Sequence, residues 1–360
     1  MKKLLLSGLL LVFVFWSFKP GKARQRTINT VEIVTLVQDS LLNVRALEVI
    51  PNEDACVFLT SNGMFGSILK RPSESGMKHK PLVFYPVDLN KDSLSYNFRA
   101  MAVTKTRGMG LTIGSPALLV DINVDKPETT VLYQENHPNA FYDSMDFWND
   151  QEGIAIGDST DGCLSVIITR DGGHTWTKLT CDQLPKGMEN EGAFAASDTN
   201  IAIVGSQTWV ATTAGRVYYS PDKGITWDVF ETPIIKEKET EGIYSIAFYD
   251  ALNGFAIGGD YSNPEGNSAN KIRTKDGGKT WELVAQNQEP GYRSCVQYIP
   301  DSNGKELVAL GFKGIDYSND SGTTWKHLSN EGFYTLRFIN DSTAYAAGQG
   351  RVSKLTFRGE

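Results

Sequence analysis

One eight-residue pattern constrains this chain more than any other feature, because it recurs four times in register. TRDGGHTW (169–176), SPDKGITW (220–227), TKDGGKTW (274–281) and SNDSGTTW (318–325) all read Ser/Thr-x-Asp-x-Gly-x-Thr-Trp. The tryptophans lie 51, 54 and 44 residues apart, the length of a four-stranded antiparallel unit. Each position has a physical reason. Asp171, Asp222, Asp276 and Asp320 can accept hydrogen bonds from amides of their own turn. Gly173, Gly224, Gly278 and Gly322 permit a backbone conformation closed to other residues. Each threonine starts the next strand, and Trp176, Trp227, Trp281 and Trp325 are expected to bury a ring between sheets.

A second periodicity runs upstream of the first. Short strands open on one polar or aromatic residue, usually followed by a small one and then apolar alternation: Arg45, Arg99, Asp143, Glu191, Tyr244, Arg293 and Tyr334. The intervals are 54, 44, 48, 53, 49 and 41 residues, so seven innermost strands are expected. No stretch shows a sustained helical period, which makes the chain all-β. The segment 30–37 is expected to supply the missing outer strand of the last unit, joining the two ends of the chain and protecting a strand edge.

The eight-residue pattern resembles the Asp box, or bacterial neuraminidase repeat, of β-propellers such as sialidases, sortilin-type receptors and xyloglucanases. The resemblance implies a seven-bladed β-propeller over residues 24–360, with the boxes on hairpins remote from the ligand face. FYDSMDFWNDQEGIAIGD (141–158), ENEGAFAASDTN (189–200) and GIYSIAFYDALNGFAIGGDY (242–261) are similar to bacterial photosystem II stability/assembly-factor-like proteins, often named oxidoreductases. That likeness implies a scaffold. Redox chemistry has no support, since there is no dinucleotide-binding glycine turn, no CxxC and no haem or flavin signature.

Residues 1–23 have a lysine start, an apolar stretch from Leu4 to Phe18 and small residues at a cleavage point, the layout of a secretory signal peptide. The expected location is therefore periplasmic or secreted. The whole chain carries 35 basic and 42 acidic residues, a formal charge of −7, and loses four lysines with the leader. Without a basic cluster it is a poor nucleic-acid binder, and no later apolar run is long enough for a membrane span. Cys163 and Cys181 flank one box nearly symmetrically and are candidates for a disulfide, whereas Cys56 and Cys295 read as buried free thiols. His79, His137, His174 and His327 are scattered and form no metal constellation. Asp158, Asp161 and Asp260 are an acidic loop set that could hold Ca²⁺ or simply cap turns; neither a metal nor a cofactor is expected.

Chemistry belongs where the inner strands begin. Arg45, Arg99 and Arg293, with Tyr334 among them, suit an anionic glycan or other carboxylate ligand, or a protein partner at the ring face. Asp143, Glu191 and Tyr244 form the opposite side, and only there would catalysis arise, as a sialidase-like hydrolase or a lyase. The Arg-Ile-Pro element of sialidases is absent. Alternatively, these charges pair across the channel and hold the blades in register. The leading expectation is a non-catalytic binding or assembly platform.

Overall fold

The computed structural model describes residues 26–69, 82–87, 96–122 and 129–359; the leader reading at 1–23 lies outside these. Among the described residues the regular elements are all strands, in one seven-stranded and five four-stranded antiparallel sheets. Within each four-stranded sheet, strands follow in chain order or its reverse, so every sheet is a simple meander.

The inner strands form a closed cycle. The 44–49 half of the first strand, Phe98–Val103, Tyr142–Phe147, Ile201–Val204, Ile243–Phe248, Cys295–Tyr298 and Thr335–Phe338 each pack against the next, and the last packs against the first. The first strand, Ile28–Val49, joins both ends of the chain. Its 28–38 half pairs with Gln349–Gly359, with Val31 opposite Phe357 and Ile33 opposite Leu355, and its 44–49 half pairs with Ala55–Thr60. The register breaks between Gln38 and Asn43, where the strand passes from one half to the other.

Burial explains the sequence of each strand. Ala55–Thr60 and Cys163–Thr169 are buried throughout, because adjacent sheets cover both faces; such strands read as unbroken apolar runs. The 28–38 half is outermost and instead alternates, with Val31 and Ile33 packed inward while Val34 is 47% exposed. Apolar clusters fill the spaces between neighbouring sheets. One joins Ala100, Met109 and Leu119 to Tyr142, Ile167 and Trp176 across such an interface.

The four repeated octapeptides adopt one geometry. In the first, the Thr175 amide and hydroxyl donate to the Asp171 carboxylate at 2.9 and 2.6 Å, and the Gly173 amide donates to the Thr169 hydroxyl. Asp222, Asp276 and Asp320 accept the same pair of bonds from Thr226, Thr280 and Thr324. Against the cost of burial, donors from Thr175 and Thr169 hold the Asp171 carboxyl down at about 2. Gly322 sits at φ +81°, and a Cβ there would lie 2.1 Å from the Phe255 ring, so both conformation and contact require glycine. Trp176 and Trp281 are buried, but Trp227 and Trp325 are only half-buried. The indoles of Trp227, Trp281 and Trp325 donate to the carbonyls of Gly224, Gly278 and Gly322, whereas that of Trp176 has no hydrogen-bond partner among the described residues.

Cys163 and Cys181 are joined by a disulfide, and Cys56 and Cys295 are buried free thiols.

Candidate functional site

At one end of the cycle the inner strands open into a cavity of about 530 Å³. Its charged wall is Arg45 and Arg99, and its other walls are mainly aromatic: Phe194, Tyr244, Tyr261, Tyr292 and Tyr334 among them. The Arg45 guanidinium lies 4.1 Å from the centre of the Tyr334 ring and donates to the Asn43 side chain. Arg99 donates to Asn97 Oδ1 at 3.0 Å and to the Ala195 carbonyl at 3.4 Å. Neither arginine has a carboxylate in ion-pair contact among the described residues. Burial, and next the charge of Arg45, lower the Arg99 guanidinium to about 10; burial also lowers Arg45. Two half-buried like charges face the cavity, and among the described residues the hydrogen-bond acceptors they reach are neutral.

Tyr244 shapes the opposite wall. Its ring stacks on Phe194 at 3.7 Å and meets Tyr292 edge-on at 4.8 Å, and its hydroxyl donates to the Thr240 carbonyl. Burial, then the neighbouring Tyr292, raise its pKa. This phenol is held in an aromatic stack.

The remaining expected site residues are engaged elsewhere. Arg293 is 4% exposed, with Nε 2.6 Å from Asp316 Oδ2 and Nη1 donating to the Tyr292 carbonyl. Glu191 is 1% exposed and accepts from Arg216, Thr212, Tyr218 and the Met188 amide. Asp143 is fully buried beside Asp158 and does not line the cavity. The structure thus brings Arg45, Arg99, Tyr244 and Tyr334 together, and leaves Asp143, Glu191 and Arg293 behind the walls. The acidic loop set also separates: Asp158 is beside Asp143, Asp161 is 3.7 Å from His137, and Asp260 bonds Ser262 and Lys238.

The chain matches no family model, and no curated protein resembles it in sequence. Solved structures do resemble it. "YCF48 bound to D1 peptide" superposes with a TM-score of 0.61 at 11% identity, over 94% of this chain and 100% of that one. "Crystal structure of RRP9 WD40 repeats" gives 0.62 at 12% identity, over 92% and 100%. The fold is a β-propeller.

In this propeller the axial channel is filled by the chain itself. Glu191 does not head an inner strand; the fourth sheet begins at Ile201, and the segment from Glu191 to Asn200 crosses the axis first. The Ser197 hydroxyl donates to the Ser294 carbonyl, and Thr335 donates to the Ser197 carbonyl. The Asp198 carboxylate receives the Met101 and Met145 amides and the Ser144 hydroxyl, while Arg337 donates to the Asp198 carbonyl. Thr199 reaches Ser245. One segment therefore bonds to inner strands of all the other sheets except the half-strand 44–49. It needs a left-handed residue to do so, and Asp198 has φ 57°.

This plug divides the channel into two unlike ends. Beyond it lies a cavity of about 330 Å³ lined by Glu48, Asp146, Asp198 and Arg337, with Arg337 Nε 2.7 Å from Glu48. There burial, and then Glu48, push Asp146 up to about 7. Strand-start spacing finds the arginines of the other end but misses Phe194, Tyr261 and Tyr292. Phe194 belongs to the plug, Tyr261 to a long loop, and Tyr292 precedes Arg293 by one residue. Only Tyr292 carried a signal, as an aromatic directly beside the expected Arg293.

Proposed function

We propose that this propeller is an exported, non-catalytic binding platform that captures an acidic segment of a protein partner in the cavity at Arg45 and Arg99. One observation carries the reading: two guanidiniums lack carboxylate partners among the described residues, yet face an aromatic cavity of about 530 Å³. A partner's carboxylate would supply the missing charge through charge-assisted bonds, and Tyr334, Tyr244 and Tyr292 would cover its apolar stem. YCF48, at 11% identity, is a protein of this fold solved with a peptide; the analogy is one of fold alone.

The reading counts seven blades, with the first strand serving two, and takes the four hairpins as Asp boxes. It is supported by the cyclic packing of the inner strands and by the repeated Asp–Thr bonds. Export is supported by the leader-like run at 1–23 and by the Cys163–Cys181 disulfide. Glycan hydrolysis by Asp143, Glu191 and Tyr244 gains no support, because Glu191 is saturated by donors and Asp143 does not line the cavity.

The test is a panel of acidic peptides, their alanine-substituted counterparts and sialylated glycans, titrated against the protein and its Arg99→Ala variant. Peptide binding that depends on the acidic residues and on Arg99 supports the reading. Binding of glycans alone, or peptide binding indifferent to Arg99, overturns it.

A further inference from the structure

At the root of the plug, a buried carboxyl group, Asp143, and a half-buried one, Asp158, sit on two directly paired strands, where Ile156 is opposite Ser144 and the Asp158 amide donates to the Phe141 carbonyl. Asp143, on the strand Tyr142–Phe147, is 0% exposed, and among the described residues no donor group is in hydrogen-bond contact with either of its oxygens, which leaves the Asp158 carboxyl as its polar neighbour. Asp158, on the strand Gly153–Thr160, receives the Ala193 amide on Oδ1 at 3.2 Å. Gly192 makes room for it: a Cβ there would lie 1.7 Å from Asp158 Oδ1. The charged groups around the pair are few. Arg99 faces it from the strand Phe98–Val103, with Arg45 next to Arg99. The plug offers only the Ala193 amide, since the Glu191 side chain is turned into Arg216.

Two carboxylates at close range, one of them wholly out of water, resist being ionised together; one proton held between them is the low-energy arrangement. Burial, and then the Asp158 carboxylate, push Asp143 well above the usual carboxylate range, with the Ala193 amide and Arg99 opposing. Burial likewise raises Asp158 to about 6. The plug residues that follow build the cavity. Phe194 forms part of its wall, and the Ala195 carbonyl accepts from Arg99.

We propose that Asp143 and Asp158 share one proton and regulate the cavity above them, so that uptake of a second proton strengthens anion binding at Arg45 and Arg99 and its release weakens it. This regulation rests on the binding reading given above. With one shared proton the pair carries a single negative charge that offsets part of the guanidinium field. The second proton removes that charge and leaves the arginines to the ligand. By linkage, a bound anion must make the second proton easier to take up by the same factor.

Two measurements test this. The first needs no ligand. Because the pair holds protons more tightly in the folded chain than in the unfolded one, its contribution to stability is present at low pH and is lost as pH rises through about 6. The melting temperature of the wild type should therefore fall relative to that of Asp158→Asn between pH 4.5 and 7.5; parallel profiles overturn the proposal. The second measurement titrates an N-acetylated tri-glutamate peptide, whose own carboxylates remain mainly ionised at pH 5.5. The wild type should bind about fivefold or more tightly at pH 5.5 than at 7.5, and Asp158→Asn should lose that ratio. Equal ratios in the two proteins defeat the regulation and leave the binding reading standing. No peptide binding at either pH, with the difference in melting intact, defeats the binding reading and the regulation with it. If Asp158→Asn does not fold, Asp143→Asn removes the same shared proton and is read in the same way.

Discussion

Arg99 and Arg293 stand at the same phase of the repeat, on inner strands separated in the cycle by Thr335–Phe338 and the 44–49 half-strand, yet the fold treats them oppositely. Arg293 is enclosed and fixed to Asp316, whose other oxygen meets His327. Arg99 is half-buried, held by an amide oxygen and a backbone carbonyl, and faces the cavity. The same contrast separates Glu191, with its donors from Arg216, Thr212 and Tyr218, from the open wall at Arg45. A charge whose partner lies within the fold contributes to architecture. A charge left with neutral acceptors beside an aromatic cavity is available to a ligand.

The largest way to break this contrast is to open the ring on which both arginines depend. Deleting residues 26–38 removes the half-strand paired with Gln349–Gly359 and exposes an edge. The truncated protein should aggregate or melt far below the full chain, as light scattering and calorimetry would show; unchanged melting would reduce the segment to a tail. Next, Glu191→Ala leaves the Arg216 guanidinium buried without its partner. Chemical denaturation should show a loss of about 3–5 kcal/mol. Trp281→Ala should cost a similar amount, about 3–5 kcal/mol, and Trp227→Ala less, because Trp227 is only half-buried. Equal costs would mean that exposure does not distinguish the four hairpins. The smallest effect sharpens the open side: Tyr334→Ala removes the ring beneath Arg45 and should weaken acidic-peptide binding by about two- to fivefold, with melting nearly unchanged.

Much of this architecture is legible in the sequence, because it repeats. The octapeptides encode a turn whose hydrogen bonds are local, so Asp171 and Thr175 specify their own geometry wherever the chain places them. Strand starts at Arg45, Arg99, Asp143 and Tyr244 are readable for the same reason, as is the pairing of the first strand with the last. The site is harder. Glu191 matches the repeat spacing, but the ten residues that follow it break the repeat and fill the axis. Nothing local says that Ser197, Asp198 and Thr199 will bond to five other sheets, since each partner lies dozens of residues away. The identity of the free arginines follows from that plug and from Asp316, both non-local, so spacing alone could list the ring but not sort it.

The sorting is tested most directly by heating and titrating Arg99→Ala and Arg293→Ala side by side. Arg99→Ala should melt with the wild type and bind acidic peptide about ten- to a hundredfold more weakly, the loss of one or two charge-assisted bonds. Arg293→Ala should strand Asp316 and lose about 3–5 kcal/mol of stability. If Arg99→Ala destabilises the protein as much as Arg293→Ala does, or binds as tightly as the wild type, the division between a structural and an open side of the channel mouth is wrong.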